Sequence, residues 1–124
     1  MKLVTTIIAR ILFSFPLIAF GIGHLMNGGA LSGIVPSWLP GGAFWVYVTG
    51  TLFILGGLGI LFNKWTRQSA FVIAGMLTVF VLTIHIPGAM NNGLQAVMGN
   101  LFKDIIIIGG ALFFADMPRN TMNS

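Results

Sequence analysis

The chain has 124 residues, 56 % of them hydrophobic, with six basic and two acidic side chains and a net charge of +4. Soluble domains carry roughly 25 % charged residues; with 6 % here, a water-facing surface around a globular domain is excluded. The length leaves room for one domain. The absence of cysteine excludes disulfides and thiolate metal sites, and the few cations are too dispersed to form a nucleic-acid-binding patch.

In chain order, four apolar blocks are long enough to cross a bilayer, which takes about 20 residues. The first covers residues 3–26. It is far longer than the apolar core of a secretory signal, and no small-x-small cleavage site follows it closely, so a retained span is predicted. Pro16 should kink it and free a carbonyl near Leu12. Arg10, Leu17 and His24 recur at heptad spacing and share one helix face. Residues 27–42 follow as a Gly/Pro-rich loop containing Pro36 and Pro40.

The second block, 43–62, concentrates Gly50, Gly56, Gly57 and Gly59. With no basic residue beside them in an apolar span, they read as close-packing positions rather than a phosphate loop. A tight charged turn at 63–68 leads to the third block, 69–86. Pro87-Gly88 and Asn91-Asn92-Gly93 then predict a break over 87–93. The fourth block is 94–115. Small residues four apart, Ala19/Gly23, Ala70/Ala74 and Ala111/Ala115, predict sites of close helix approach.

The expected fold is therefore all-α, a single bundle of four transmembrane helices running up-down-up-down. Lys2, Lys64, Arg67 and Arg119 all fall on one side of such a bundle, and the opposite loops hold no Lys or Arg. That asymmetry predicts that both termini and the 63–68 turn are cytoplasmic. Trp38, Trp45 and Tyr47 would then lie at the outer interface and Trp65 at the inner one.

Five ionisable residues remain: Arg10, His24, His85, Lys103 and Asp104. Asp104 is one of only two acids and runs straight into a long apolar stretch. An ionisable group inside a span costs several kcal/mol unless paired or hydrated, and so marks a functional-site candidate. At about 1.5 Å per residue, Lys103 and Asp104 lie about 18 Å from the inner end of the fourth span. A helix starting at Leu94 buries them in the outer part of the membrane, where His24, His85, Lys103 and Asp104 could form one cluster. A helix starting at Asn100 leaves them as an interfacial cap. Arg10 either snorkels to water or reaches Asp104 or Asp116.

The two histidines admit several roles: hydrogen-bonding groups that close the outer end of the bundle, proton-relay or quinone-contacting groups, or axial haem ligands. Haem has no further motif behind it and ranks below the others. A metal centre ranks lower still, because only Asp104 could join the histidines as an anionic ligand.

The order and spacing of several short motifs resemble the DoxX-like family of small membrane proteins. They are Arg10 followed by Gly21-Ile22-Gly23-His24, then Val35-Pro36-Ser37-Trp38-Leu39-Pro40, Trp45-Val46-Tyr47-Val48-Thr49-Gly50, Gly56-Gly57-Leu58-Gly59-Ile60-Leu61, and Lys103-Asp104 with Gly109-Gly110-Ala111-Leu112. The resemblance covers nearly the whole chain. It implies a four-helix membrane bundle and a link to respiratory or redox assemblies. It also implies a Glu shortly after Tyr-x-x-Gly in the second helix, where this chain has Thr51-Leu52-Phe53-Ile54.

The leading expectation is a bacterial inner-membrane protein without catalysis of its own. It would be an accessory subunit of an oxidoreductase assembly, touching quinone at the outer His/Asp/Lys cluster. A non-catalytic scaffold or assembly factor is the alternative, and a small-solute or ion carrier ranks third. Its partners would be the lipid bilayer and a membrane protein or a second copy of itself.

Overall fold

The computed structural model describes residues 2–117. Apolar sequence without strand-forming alternation gives helices: α1 (Lys2–Met26), a short α2 (Gly28–Leu31), α3 (Ala43–Leu61), α4 (Thr66–Phe80), α5 (Ile86–Asn92) and α6 (Leu94–Ala115). Four stretches are long and apolar enough to cross a membrane: Leu3–Met26, Ala43–Leu61, Thr66–Asn92 and Leu94–Ala115. The chain is a multi-pass membrane protein built as an all-α four-helix bundle. Its outer surface carries large apolar side chains such as Leu12, Phe15, Leu55, Ile106 and Phe113. In water such a surface would aggregate; in lipid it is the expected one.

Each span runs antiparallel to its neighbours. Helix α1 packs on α3, α3 on α4, and α4 on α6. Phe13 of α1 closes the ring against Phe114 of α6, with centroids 5.0 Å apart. The core is narrow and includes Leu17, Phe53, Ile60, Ile73 and Leu77, with Ala70, Ala74, Ala111 and Ala115 admitting close helix approach. Ala19 is exposed and Gly23 has open space around its Cα, so that predicted small-residue pair faces outward and packs nothing.

The close contact of α1 with α3 is made instead by Gly21 and Gly50. A Cβ on Gly21 would lie 2.5 Å from the Gly50 carbonyl oxygen, and one on Gly50 would lie 2.8 Å from that of Gly21. Lower down, Gly57 admits Ile18, and Gly56 admits Ile73 of α4. The glycines of the second span thus act through packing, as expected. Pro16 lies within an unbroken α1.

The third span departs most from expectation. No break occurs at Pro87-Gly88; the helix continues to Asn92 and turns only at Gly93, where φ is +88°. A proline in mid-helix lacks one N–H and crowds the carbonyl four residues back. The chain accommodates this with a π-helical turn, Val81–His85, in which the Ile86 N–H reaches back to the Val81 carbonyl. Pro87 then occupies the first turn of α5, where a missing N–H does little harm.

The connection between α3 and α4 is a Schellman-type reversal. Asn63 adopts a left-handed conformation with φ +56°. The Lys64 N–H reaches the Gly59 carbonyl at 2.9 Å, and the Asn63 N–H reaches that of Ile60 at 3.4 Å. At the opposite end, residues 27–42 fold over the bundle as α2, a 3-10 turn (Ser32–Ile34) and further turns. Gly28 lies against the Tyr47 ring, and the Trp45 indole donates to the Pro40 carbonyl. Lys64 and Arg67 mark the end of the bundle where α1 begins and α6 finishes; Arg119 lies outside the described residues.

Candidate functional site

The sequence left open whether Lys103-Asp104 caps a helix or lies within one. Helix α6 begins at Leu94, which places Asp104 at the midpoint of a 22-residue helix. Its side chain is buried, with 3 % of the residue exposed. The cap reading is thereby corrected: the carboxylate lies mid-helix, as a helix starting at Leu94 requires.

Asp104 Oδ2 lies 2.7 Å from His85 Nε2. An ionised carboxylate only accepts, so Nε2 carries the proton and donates. A charge-assisted bond of this length is among the stronger hydrogen bonds in proteins. Lys103 Nζ stands 3.7 Å from the other carboxylate oxygen and is about two-fifths exposed. This is a loose ion pair, and His85 is the principal partner of Asp104. The Lys103 ammonium also lies over the Phe20 ring of α1, 4.7 Å from its centroid, where a cation–π contact adds a modest attraction.

The π-helical turn is what aims His85. Pro87 forces the widening just before α5, and His85 is the last residue of the widened turn, facing α6. Such turns are frequent at functional sites because they re-aim a side chain within an otherwise regular helix. Thr78 and Thr83 donate at 2.7 Å to the carbonyls of Ala74 and Val79, back-bonds that tend to bend a helix and that lie here before and within the bulge.

His24 is near this group without touching it. Its Nδ1 donates to the Phe20 carbonyl at 2.7 Å, because a carbonyl can only accept. With the proton on Nδ1, a neutral His24 ring has Nε2 as its acceptor. It packs on Phe53 with centroids 5.4 Å apart, and Phe53 meets Phe20 edge-on at 6.2 Å. The four predicted residues thus divide: His85, Lys103 and Asp104 form one polar group, and two aromatic rings separate His24 from it. Phe53, buried in α3, supplies an aromatic wall there. Neither sequence periodicity nor charge pointed to Phe20 and Phe53 as the separators.

Arg10 follows neither predicted course. It is 1 % exposed, so it does not snorkel, and it bonds neither acid. Its Nη1 donates to the Ile60 carbonyl at 2.6 Å and to the Thr66 hydroxyl at 3.0 Å. Its Nη2 lies 3.2 Å from the Met117 sulfur, and the guanidinium sits over the Phe114 ring at 5.6 Å. Thr66 passes the contact on by donating to Asn63 Oδ1 at 2.9 Å. The guanidinium thus sits at the C-terminal end of α3, where unpaired carbonyls and the helix dipole favour a cation. Arg10 Nε and the Ser14 hydroxyl are buried without a protein partner.

Among the described residues no three His, Asp or Glu side chains converge on a metal-sized site. Two grooves score the bundle surface. One, of about 380 Å³, runs between α1 and α6 past Phe13 and Phe114. The other, of about 510 Å³, runs between α3 and α4 from Leu52 to Lys64 and Trp65. Neither is lined by His85 or Asp104.

The chain belongs to the family described as a domain of unknown function (DUF8561), whose model matches residues 13–104. The matched stretch contains His24, His85, Lys103 and Asp104 and begins after Arg10. No curated protein and no solved structure matches the chain.

Proposed function

We propose that this DUF8561 member is an accessory subunit of a redox assembly in a bacterial inner membrane. Its His85–Asp104 pair, with Lys103, would exchange a proton with a quinone headgroup. The observation that carries the reading is the 2.7 Å contact between a buried mid-span carboxylate and an imidazole aimed by a π-helical turn. A buried ion pair is a weak stabiliser compared with apolar packing of the same volume, and a π turn forgoes regular helix bonding. Two costly features converging on one contact favour a chemical use. The DoxX-like resemblance, with its redox association, supports the same assignment.

The donor set fits a quinone headgroup. His85 retains a 13 % exposed edge, and Lys103 is accessible from the bilayer side. With Nε2–H committed to Asp104, His85 Nδ1 can accept a proton from a quinol hydroxyl, and the carboxylate then stabilises the imidazolium. In the protonated state the same Nδ1–H can donate to a quinone carbonyl, while the Lys103 ammonium can polarise that or the second carbonyl. The haem alternative fits poorly, because His85 Nε2 is already engaged by Asp104.

The test is binding of a quinone analogue to the purified protein and to Asp104→Asn, together with identification of copurifying proteins in mild detergent. Loss of analogue binding in a variant that accumulates normally, with a redox protein copurifying from the wild type, is the expected result. Absence of binding by the wild type, or of any redox partner, overturns the proposal.

The scaffold reading has one specific observation in its favour: Arg10 is used entirely to join helix ends. On that reading Asp104 has the same duty, and Asp104→Asn lowers folding yield while no analogue binds either form.

A further inference from the structure

The groove between α3 and α4 has chemistry of its own, away from the His/Asp pair and reaching the end of the bundle that carries Lys64. It holds about 510 Å³ and is walled by Leu52, Leu55 and Leu58 of α3, by Phe62 just after it and by Val72 of α4. At one end the lining changes character to Lys64, Trp65, Gln68 and Ser69. We propose that this groove binds one anionic phospholipid of the bilayer, with an acyl chain along the apolar trough and the phosphate at Lys64.

Five observations support that occupant. The trough opens to the bilayer and lies along the helices, as an acyl chain would; it falls within the roughly 300–1,000 Å³ typical of small-molecule sites. Its polar end coincides with the end of the bundle marked by Lys64 and Arg67, both exposed. Asp116, at the end of α6, is the acid at this end of the bundle, and among the described residues it forms no ion pair with either cation, so the end keeps a net positive charge. Trp65, 76 % exposed, places an indole at the same level, where tryptophans sit among headgroups. The N-cap residue of α4, Trp65, makes no side-chain cap, and the partial positive charge of the helix N-terminus adds to that of Lys64. A zwitterionic lipid would satisfy the trough equally well but not the uncompensated charge.

The experiment is native mass spectrometry of the full chain released from nanodiscs that contain equal amounts of phosphatidylglycerol and phosphatidylethanolamine with identical acyl chains. Preferential retention of one phosphatidylglycerol is expected, and it should fall as salt rises. Each basic residue near an anionic membrane surface contributes about 1 kcal/mol, or about fivefold. Lys64→Gln should therefore lower the preference about fivefold, and adding Arg67→Gln should lower it further. Leu58→Trp, which fills the trough from an exposed position, should abolish retention of both lipids. Equal retention of the two lipids by the wild type overturns the proposal, as does retention indifferent to Lys64→Gln and salt. A dimer that retains no lipid and that Leu58→Trp dissociates also overturns it, assigning the groove to a second copy.

Discussion

Replacing Arg10 with Met tests whether one buried cation fastens three helix ends. The substitution keeps an apolar stem of similar reach but deletes donations to the Ile60 carbonyl at 2.6 Å and the Thr66 hydroxyl at 3.0 Å. Hydrogen bonds from charged donors contribute about 1.5–3 kcal/mol each in soluble proteins, whereas interhelical ones in bilayers average about 0.6 and reach about 1.7. Two bonds and the lost contact with Phe114 together give about 2–4 kcal/mol. The assay is SDS-induced unfolding in mixed micelles, followed by circular dichroism. Arg10→Lys should recover less than half of the loss, because an ammonium cannot span both acceptors in the fixed fork of a guanidinium. In double-mutant cycles, Arg10→Met should couple to Thr66→Val by about 1 kcal/mol. Coupling to Asp116→Asn should stay within the roughly 0.3–0.5 kcal/mol expected of independent sites. Unchanged stability, or coupling to Asp116 larger than coupling to Thr66, would refute this account of Arg10.

Three further outcomes follow from the geometry. Asp104→Leu and His85→Leu should each destabilise by about 2–4 kcal/mol, because each strands a buried polar partner; the double variant, which strands neither, should lose clearly less than the sum in the same unfolding assay. Pro87→Ala restores an N–H and should let the widened turn revert to regular α-helix, rotating His85 away from Asp104; loss of the hydrogen-bonded imidazole proton in the NMR spectrum checks it, and retention of that proton contradicts the role given to Pro87. Gly21→Ala should cost about 1–3 kcal/mol by overpacking against the Gly50 backbone, whereas Gly23→Ala, with open space around it, should be neutral or gain up to about 1 kcal/mol from helix propensity. Equal behaviour of the two glycine variants in thermal unfolding would count against the Gly21–Gly50 contact.

The charge of Asp104 is legible in the sequence; its partner is decided by the tertiary structure. His85 lies in the segment where the helix was expected to be ending. In the sequence, Pro87 two residues later has the signature of a terminator, because proline removes a helical bond. Its real consequence was a widened turn, a choice that depends on whether a neighbouring helix rewards continuation. Here α6 does so by offering Asp104. The same logic explains Arg10. Acids were its expected partners because side-chain charge is visible in a sequence, whereas the carbonyls at the end of α3 are present in every sequence and carry no signal.

Composition and block length determined the class, the four spans and the end of the bundle that gathers Lys64 and Arg67. These follow from transfer of apolar side chains into lipid and from the rise of a helix, both local and additive. Tertiary structure decided which polar groups meet: His85 with Asp104, Arg10 with Ile60 and Thr66, and His24 walled off by Phe20 and Phe53. Those pairings depend on rotation about each helix axis and on a single inserted residue in a turn. A change of one residue there swings a side chain by about 100° (3.6 residues per turn), and only the packing of the other helices fixes it.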